Sequence, residues 1–319
     1  MISKNIAHLK PLSWQFANRE LIKKALSEFS HELILQPVYL KEDTDGFCSY
    51  LLETSDQKYT YYFKAKKFLL EHWFVNTESI VKKDKNSKEV YLDALHFIIE
   101  FKEILAIPDT FFGTYLEEIT STLSGIAYKY ESEQFTGQEL TTKSFQEIEH
   151  AMTEGHPCFV ANNGRIGFNN TDYHLYAPEA NTPFKILWIA EHKKYASYTA
   201  IEEYAYESLI ENELGNIKVT EFKQQLSKRK KNIEDYVFMP VHPWQWTNKI
   251  TAVFGADIAQ ENIILLGESD DYFSAQQSIR TLFNASNPEK LYTKTALSIL
   301  NMGFMRGLSP YYMKSTPPI

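Results

Sequence analysis

The spacing of apolar residues changes along this chain, and each change limits the local structures that can form. Over residues 18–31, apolar side chains recur at intervals of three and four, which predicts the buried face of a helix. These residues are Leu21, Ile22, Ala25, Leu26 and Phe29. Residues 47–52 and 58–63 are instead rich in β-formers on either side of a short polar segment, which predicts a hairpin. Lys82, Lys83 and Lys85 then indicate a solvated loop.

The second half of the chain mixes strand patterns with helical ones. Apolar runs at 184–190, 236–241 and 263–266 predict buried strands, and residues 200–214 and 248–259 predict helices. Because strands and helices do not alternate strictly, a doubly wound parallel sheet is not expected.

A polar stretch at 131–137 interrupts two helical patterns and predicts a domain boundary near residue 140. Residues 1–140 are then a mainly helical region with a small hairpin. Residues 141–319 form a mixed α/β domain built on a largely antiparallel sheet. The predicted fold class is therefore α+β.

The net charge of -8 argues against binding to nucleic acid or to an anionic membrane, since both require a broad basic surface. The N-terminus has no apolar core of signal-peptide length, and no apolar run approaches the roughly 18 residues of a membrane helix. The two cysteines, Cys48 and Cys158, fit buried free thiols in a reducing compartment. These features predict a cytoplasmic protein.

Common catalytic and phosphate-binding motifs are missing from the sequence. There is no P-loop, dinucleotide fingerprint or nucleophile elbow, and the nine histidines lack zinc-site spacing. What remains is a set of polar islands inside apolar segments. The first contains His156 and then Asn162, Asn163 and Arg165, which offer amide and guanidinium donors or a well-bonded turn with a surface arginine. The second surrounds His242 between two prolines, as a pocket residue or a satisfied core histidine.

The third island joins Ser278, Arg280 and Thr281 to Lys294 and Arg306 downstream. Hydroxyls, a forked guanidinium and a point charge are the donors that a phosphate chain requires. The alternative is a surface strand whose polar side faces water.

An extended strand would place the side chains of Ser278 and Arg280 on one face. If residues 284–288 form a loop, a second strand over 292–300 would bring Lys294 beside Arg280. The alternate residues Thr295, Leu297 and Ile299 would then lie on the opposite face of this second strand. Like charges on adjacent strands repel, so an anion between them is expected, either a phosphate or Glu289.

Five segments in order then resemble the NRPS-independent siderophore synthetases, the IucA/IucC family. They read EGHPCFVANNGRIGF, YAPE, MPVHPWQW, AQQSIRTLFN and KTALSILNMGFMRGLS. The resemblance is strongest to the branch that makes hydroxamate siderophores such as desferrioxamine, bisucaberin, putrebactin and alcaligin. It implies that ATP adenylates a carboxylate, with release of pyrophosphate, before an amine attacks to give an amide. It also implies a hand-like fold, with residues 1–140 as the thumb and 141–319 as the fingers.

The resemblance assigns roles to the polar islands. It implies that Ser278, Arg280 and Thr281 grip the nucleotide phosphates, and that Lys294 and Arg306 lie near the phosphates and the acyl carboxylate. The implied catalytic residues are His156, Lys294 and Arg306. The further nucleotide-binding candidates are Asn162, Asn163 and Arg165.

Two departures from the family pattern refine this interpretation. Citrate-using members carry a second His-Pro and a Lys where this chain has Phe159, Val160 and Asn163. The expected substrate is therefore a succinylated N-hydroxy-putrescine or N-hydroxy-cadaverine. Family members are also about twice as long, and their C-terminal palm carries the Mg²⁺ ligands. We therefore expect an N-terminal portion that is inactive alone, with the C-terminal half as a partner and a homodimer as a further possibility. The alternatives are a truncated nucleotide- or precursor-binding module and an acyl-adenylating enzyme outside iron metabolism.

Overall fold

The computed structural model describes residues 6–44, 46–132, 134–201, 204–301 and 303–305. Two compact units are present. The first contains residues up to Thr142, with Ala151–Ile166 and Leu300–Phe304, and the second contains Lys143–His150 and Gly167–Ile299. The α+β class and the antiparallel pairing of the sheets are as predicted. The thumb and fingers division at residue 140 stays a prediction.

The first unit contains a five-stranded antiparallel sheet whose strands follow in chain order. They are β1 (Val38–Glu42), β2 (Cys48–Glu53), β3 (Tyr59–Lys67), β4 (Trp73–Asp84) and β5 (Glu89–Val90). The predicted hairpin is β2 with β3, so it is one part of a larger sheet. In β3, Tyr61, Phe63 and Ala65 are buried while their neighbours are not, because alternate side chains point to opposite faces.

The buried face of this sheet is covered by the helices α1 (Pro11–His31), α2 (Ala94–Glu100) and α3 (Asp109–Glu131). A short helix, α4 (Gly137–Leu140), follows them and buries none of its residues. The predicted apolar stripe of α1 is confirmed, since Leu21, Ile22 and Leu26 are at most 1% exposed. Tyr61 packs edge-on against Phe97 of α2, with ring centroids 5.1 Å apart, which joins helix and sheet in one core.

The predicted loop at Lys82 and Lys83 is wrong, because both residues belong to β4. Lys82 is only 2% exposed, and its ammonium forms an ion pair with Glu100 of α2. The Tyr61 hydroxyl donates to the same carboxylate at 2.7 Å. The Lys82 Nζ atom also lies 4.1 Å from the ring centroid of Tyr59. Charge alone indicated a solvated segment, whereas the partner that permits burial lies 18 residues away in sequence.

The second unit contains two three-stranded antiparallel sheets. The strands of the first are β6 (Leu187–His192), β7 (Tyr236–Val241) and β8 (Ile263–Glu268), in the order β7-β6-β8. They match the three predicted buried runs. The strands of the second are β9 (Phe273–Ala275), β10 (Thr281–Asn284) and β11 (Thr293–Lys294), in the order β11-β10-β9.

Short helices and one long helix surround these sheets. They are α5 (Phe145–Ala151), α6 (Asn170–Tyr176), α7 (Tyr206–Lys228), α8 (Pro243–Gln245), α9 (Thr251–Val253) and α10 (Gly255–Ala259). Helix α7 buries Phe222 and Leu226 against the core. The predicted helix at 200–214 begins too early: Ile201 and Tyr204 precede α7 and are 43% and 40% exposed. None of the described helices is long and apolar enough to cross a membrane.

The last strands among the described residues are β12 (Leu300–Asn301) and β13 (Phe304–Met305). The continuous strand predicted over 292–300 is wrong, since Thr293–Lys294 and Leu300 are paired there but the described residues 295–299 between them belong to no strand. Its predicted alternation is nevertheless correct, because Thr295, Leu297 and Ile299 are at most 5% exposed. Apolar spacing therefore identified which side chains turn inward but not whether the backbone pairs.

Candidate functional site

Residues 276–281 form a tight turn between β9 and β10, which we call the donor turn. The Gln276 amide donates to the Thr281 carbonyl at 2.8 Å, and the Ile279 amide donates to the Gln276 carbonyl at 2.6 Å. The extended strand predicted for Ser278 and Arg280 is therefore wrong. These side chains project from a turn, so the face they share is set by the turn and not by strand alternation.

Ile279 holds the turn in an unusual conformation. Its φ of 64° lies in the left-handed region, which a β-branched residue rarely adopts. Such a residue costs about 1–3 kcal/mol and persists only where its surroundings hold it. Here the side chain is 1% exposed and packs with Trp244, Leu297 and Ile299. The donor turn is thus fixed from beneath by an apolar cluster.

The predicted hairpin joins the described residues of the third island. Thr281 of β10 lies opposite Lys294 of β11 in antiparallel register. The Thr295 amide donates to the Arg280 carbonyl at 3.0 Å, and the Thr281 amide donates to the Ser278 hydroxyl at 3.3 Å. Ser278 and Lys294 are exposed, while Arg280 and Thr281 are half-buried. Two hydroxyls, a guanidinium and an ammonium therefore share one hairpin end, as an anion site requires.

A carboxylate that sequence reasoning missed orders the loop of this hairpin. Asp271 accepts hydrogen bonds from the side chains of Asn284 at 2.9 Å, Asn287 at 2.6 Å and Lys290 at 2.7 Å. Burial raises the pKa of Asp271, but the hydrogen bonds from Lys290 and the two amides outweigh it and lower that pKa overall. The loop between β10 and β11 is thus fixed around one ionised group. The only sign of this arrangement in the sequence is that Asn284, Asn287 and Lys290 lie in one short segment.

The second island contains a buried histidine. His242 is 0% exposed, and its Nδ1 atom accepts from the Trp244 amide at 3.1 Å at the start of α8. Its ring packs against Tyr176 and Phe184, with centroids 4.7 Å and 5.1 Å away. Burial lowers the pKa of His242 to about 3, so the ring is neutral at pH 7. In the described part of the chain, its Nε2 atom has no hydrogen-bond partner.

The first island lies in the first unit, and its residues 158–165 form no strand. Side chains bond the backbone instead: the Asn162 amide donates to the His156 carbonyl at 3.2 Å. Asn163 accepts from Lys129 at 3.2 Å, and both are buried. A Cβ on Gly164 would lie 2.6 Å from the Glu118 side chain, so only glycine fits there.

Arg165 and Cys158 differ from their expected surroundings. Arg165 is 3% exposed, which excludes the alternative of a surface arginine, and its guanidinium donates to the Gly164 carbonyl at 3.1 Å. Cys158 is exposed and Cys48 is half-buried, so the prediction of two buried thiols is wrong. Both are free thiols, as predicted.

The candidate residues therefore form two groups. Ser278, Arg280, Thr281 and Lys294 belong to the second unit, and His156, Asn162, Asn163 and Arg165 belong to the first. Arg306 lies outside the described residues. Among the residues that are described, no group of three or more His, Cys, Asp or Glu side chains is arranged to hold a metal ion. Their roles in binding and catalysis stay predictions.

Several known proteins are similar to this chain. Putrebactin synthase from Shewanella sp. (strain MR-4) is 47% identical over 98% of this chain and 49% of its own length. The rhizobactin siderophore biosynthesis protein RhbF from Rhizobium meliloti is 33% identical over 92% of this chain and 48% of its own length. The chain thus spans about half the length of the curated relatives it matches.

A crystal structure of the petrobactin biosynthesis protein AsbB from Bacillus anthracis has the same fold. Its TM-score is 0.83 and its sequence identity 28%, over 97% of this chain and 51% of the AsbB chain. The resemblance to siderophore synthetases expected from the five motifs is therefore confirmed. The IucA / IucC family model matches residues 144–319, which include the donor turn and His242. This chain belongs to the IucA / IucC family.

Proposed function

We propose that this chain supplies the nucleotide-binding half of an ATP-dependent siderophore synthetase. The observation that carries the proposal is the hairpin that groups Ser278, Arg280, Thr281 and Lys294. Putrebactin synthase, at 47% identity, supports a ligase of hydroxamate siderophore assembly. The reaction is adenylation of a carboxylate followed by amide formation with an amine.

The hairpin donors suit the charge that develops in adenylation. Attack by a carboxylate oxygen on the α-phosphorus places negative charge on the phosphate oxygens, and pyrophosphate then leaves. Arg280 and Lys294 would hold that charge, with the hydroxyls of Ser278 and Thr281 orienting the phosphates. Arg306, which the structure does not describe, is proposed to align the carboxylate. His156, Asn162, Asn163 and Arg165 remain the other proposed site residues.

The proposed substrates are ATP and a succinylated N-hydroxy-putrescine or N-hydroxy-cadaverine. Mg²⁺ would neutralise part of the triphosphate charge, but the described residues offer no metal-binding cluster. We propose that the metal ligands lie in the half of the longer relatives that this chain does not span. The same proposal makes the C-terminal half a partner, leaves a homodimer open and locates the protein in the cytoplasm, where ATP is available.

Product analysis tests the proposal. The 319-residue chain is mixed with the C-terminal half of putrebactin synthase, ATP, Mg²⁺ and each N-hydroxy-N-succinyl diamine, and products are identified by mass spectrometry. We expect an amide product and AMP from the mixture, and no ATP–pyrophosphate exchange by this chain alone. ATP binding without acyl-adenylate in the mixture would instead indicate a binding module.

Replacing Arg280 with alanine is expected to weaken ATP binding by about ten- to a hundredfold. A hydrogen bond to a charged partner contributes about 1.5–3 kcal/mol, which corresponds to that range. Titration calorimetry with the 319-residue chain measures the change. Arg229→Ala is the matched control, because Arg229 is an exposed arginine of the same unit that pairs with Glu261 at 3.3 Å. Equal ATP affinities for the two variants would contradict the role of Arg280.

A further inference from the structure

Helix α5 contacts the donor turn and buries none of its own residues. Phe145 is 65% exposed and Ile148 is 37% exposed, so apolar burial contributes little to fixing the position of this helix. Its sequence position is also unusual. Residues 145–150 of the helix belong to the second unit, whereas its last residue, Ala151, begins a segment of the first.

The contacts of α5 with the donor turn are polar and specific. The Gln277 amide donates to the Glu149 Oε1 atom at 2.7 Å, and the Gln277 side chain donates to the Glu149 carbonyl at 2.8 Å. One turn earlier, the Gln146 Oε1 atom accepts from the Gln276 side chain at 2.9 Å. Gln146 also donates to the Tyr292 hydroxyl at 3.0 Å, two residues before Lys294. Helix α5 thus forms hydrogen bonds with the donor turn and with Tyr292, which precedes β11.

These contacts act where the backbone is strained. Gln277 immediately precedes Ser278, and Ile279 with its φ of 64° follows. The apolar cluster fixes the Ile279 side chain but offers the Gln277 amide no hydrogen-bond acceptor. Glu149 supplies a charged acceptor for that amide, and hydrogen bonds to a carboxylate are about twice as strong as neutral ones. The side chain of Gln276, which is 6% exposed, donates to Gln146 of the same helix.

We propose that Glu149, supported by Gln146, is a positioning residue that holds the donor turn in the conformation that presents Ser278 and Arg280 to the ATP phosphates. This inference rests on the proposed function. Glu149 acts through the Gln277 backbone and does not touch the nucleotide. Binding to a preformed turn costs less than binding to one that must first be ordered, so loss of the contact weakens affinity.

Two substitutions at one position test the inference. Glu149→Ala removes the acceptor of the Gln277 amide and should weaken ATP binding about five- to tenfold in calorimetry. Glu149→Gln keeps an Oε1 acceptor and should restore affinity to within about threefold of the wild-type chain. Glu147→Gln is the charge control, since Glu147 lies on the same helix and bonds Ser144, not the donor turn.

Amide hydrogen exchange gives a readout that does not depend on ATP. Exchange at Gln277 and Ile279 should accelerate at least tenfold in Glu149→Ala, while amides of β6 stay unchanged and Tm stays within about two degrees. If Arg280→Ala weakens ATP binding but Glu149→Ala does not, the inference is wrong and the proposed function survives. Failure of Glu149→Gln to restore affinity would also overturn it. If the wild-type chain binds no ATP, the proposed function fails, and the inference with it.

Discussion

Replacing Lys82 with methionine is expected to destabilise the first unit by about 3–5 kcal/mol. This is the usual cost of leaving one member of a buried ion pair without its partner. Lys82 is 2% exposed, and the side chain of Glu100 is 12% exposed. Methionine fills a similar volume, so the loss arises from the stranded Glu100 carboxylate and not from a cavity. Denaturant unfolding followed by tryptophan fluorescence measures the change.

Two further variants separate charge from packing. Lys83→Met alters the next residue of β4, whose side chain is only partly buried, and should cost less than about 1 kcal/mol. Lys82→Met combined with Glu100→Gln removes both charges and should recover most of the lost stability. Burial, and then the charge of Glu100, raise the pKa of Tyr61, so its hydroxyl stays protonated as a donor to residue 100. A single Lys82→Met variant as stable as Lys83→Met would show that the pair contributes nothing.

Local spacing predicted the elements whose partners are set by burial alone. The stripe of α1 and the three strands of β6, β7 and β8 follow from apolar periodicity, because each presents a continuous face to a core. The same rule identified Leu297 and Ile299 as inward-facing residues, although they form no strand. In these segments the period of the sequence and the tertiary environment agree.

Spacing failed where distant residues decide the local structure. Lys82 is buried because Glu100 and Tyr61 meet it from other elements. The sequence pattern favours a strand for Ser278 and Arg280, because four residues alone do not reveal that Ile279 is left-handed. That conformation depends on packing beneath the turn. The placement of Ser278, Thr281 and Lys294 at one hairpin end was predictable from the sequence, but the contacts of Glu149 and Asp271 with that hairpin were not.

Acid is expected to destabilise the second unit through His242, by about 3 kcal/mol between pH 6.5 and pH 4. The unfolded side chain has a pKa near 6.5, whereas burial lowers the folded pKa to about 3. Between these pH values the unfolded chain binds a proton that the folded chain does not bind, so the free energy of unfolding falls as pH falls. Each pH unit contributes about 1.4 kcal/mol at most. Well above pH 6.5 neither state binds this proton, so His242 causes no loss of stability there.

Replacing His242 with phenylalanine should flatten this dependence. The variant loses the acceptor of the Trp244 amide at the start of α8, which costs about 1 kcal/mol at pH 7. It also loses the titrating group, so its free energy of unfolding should change less than that of the wild-type chain between pH 6.5 and pH 4. Urea unfolding at half-unit pH steps measures both slopes, with exposed His96→Gln as the control. Parallel slopes for the wild-type and His242→Phe chains would mean that His242 is protonated in the folded state, which its apolar contacts with Tyr176 and Phe184 argue against.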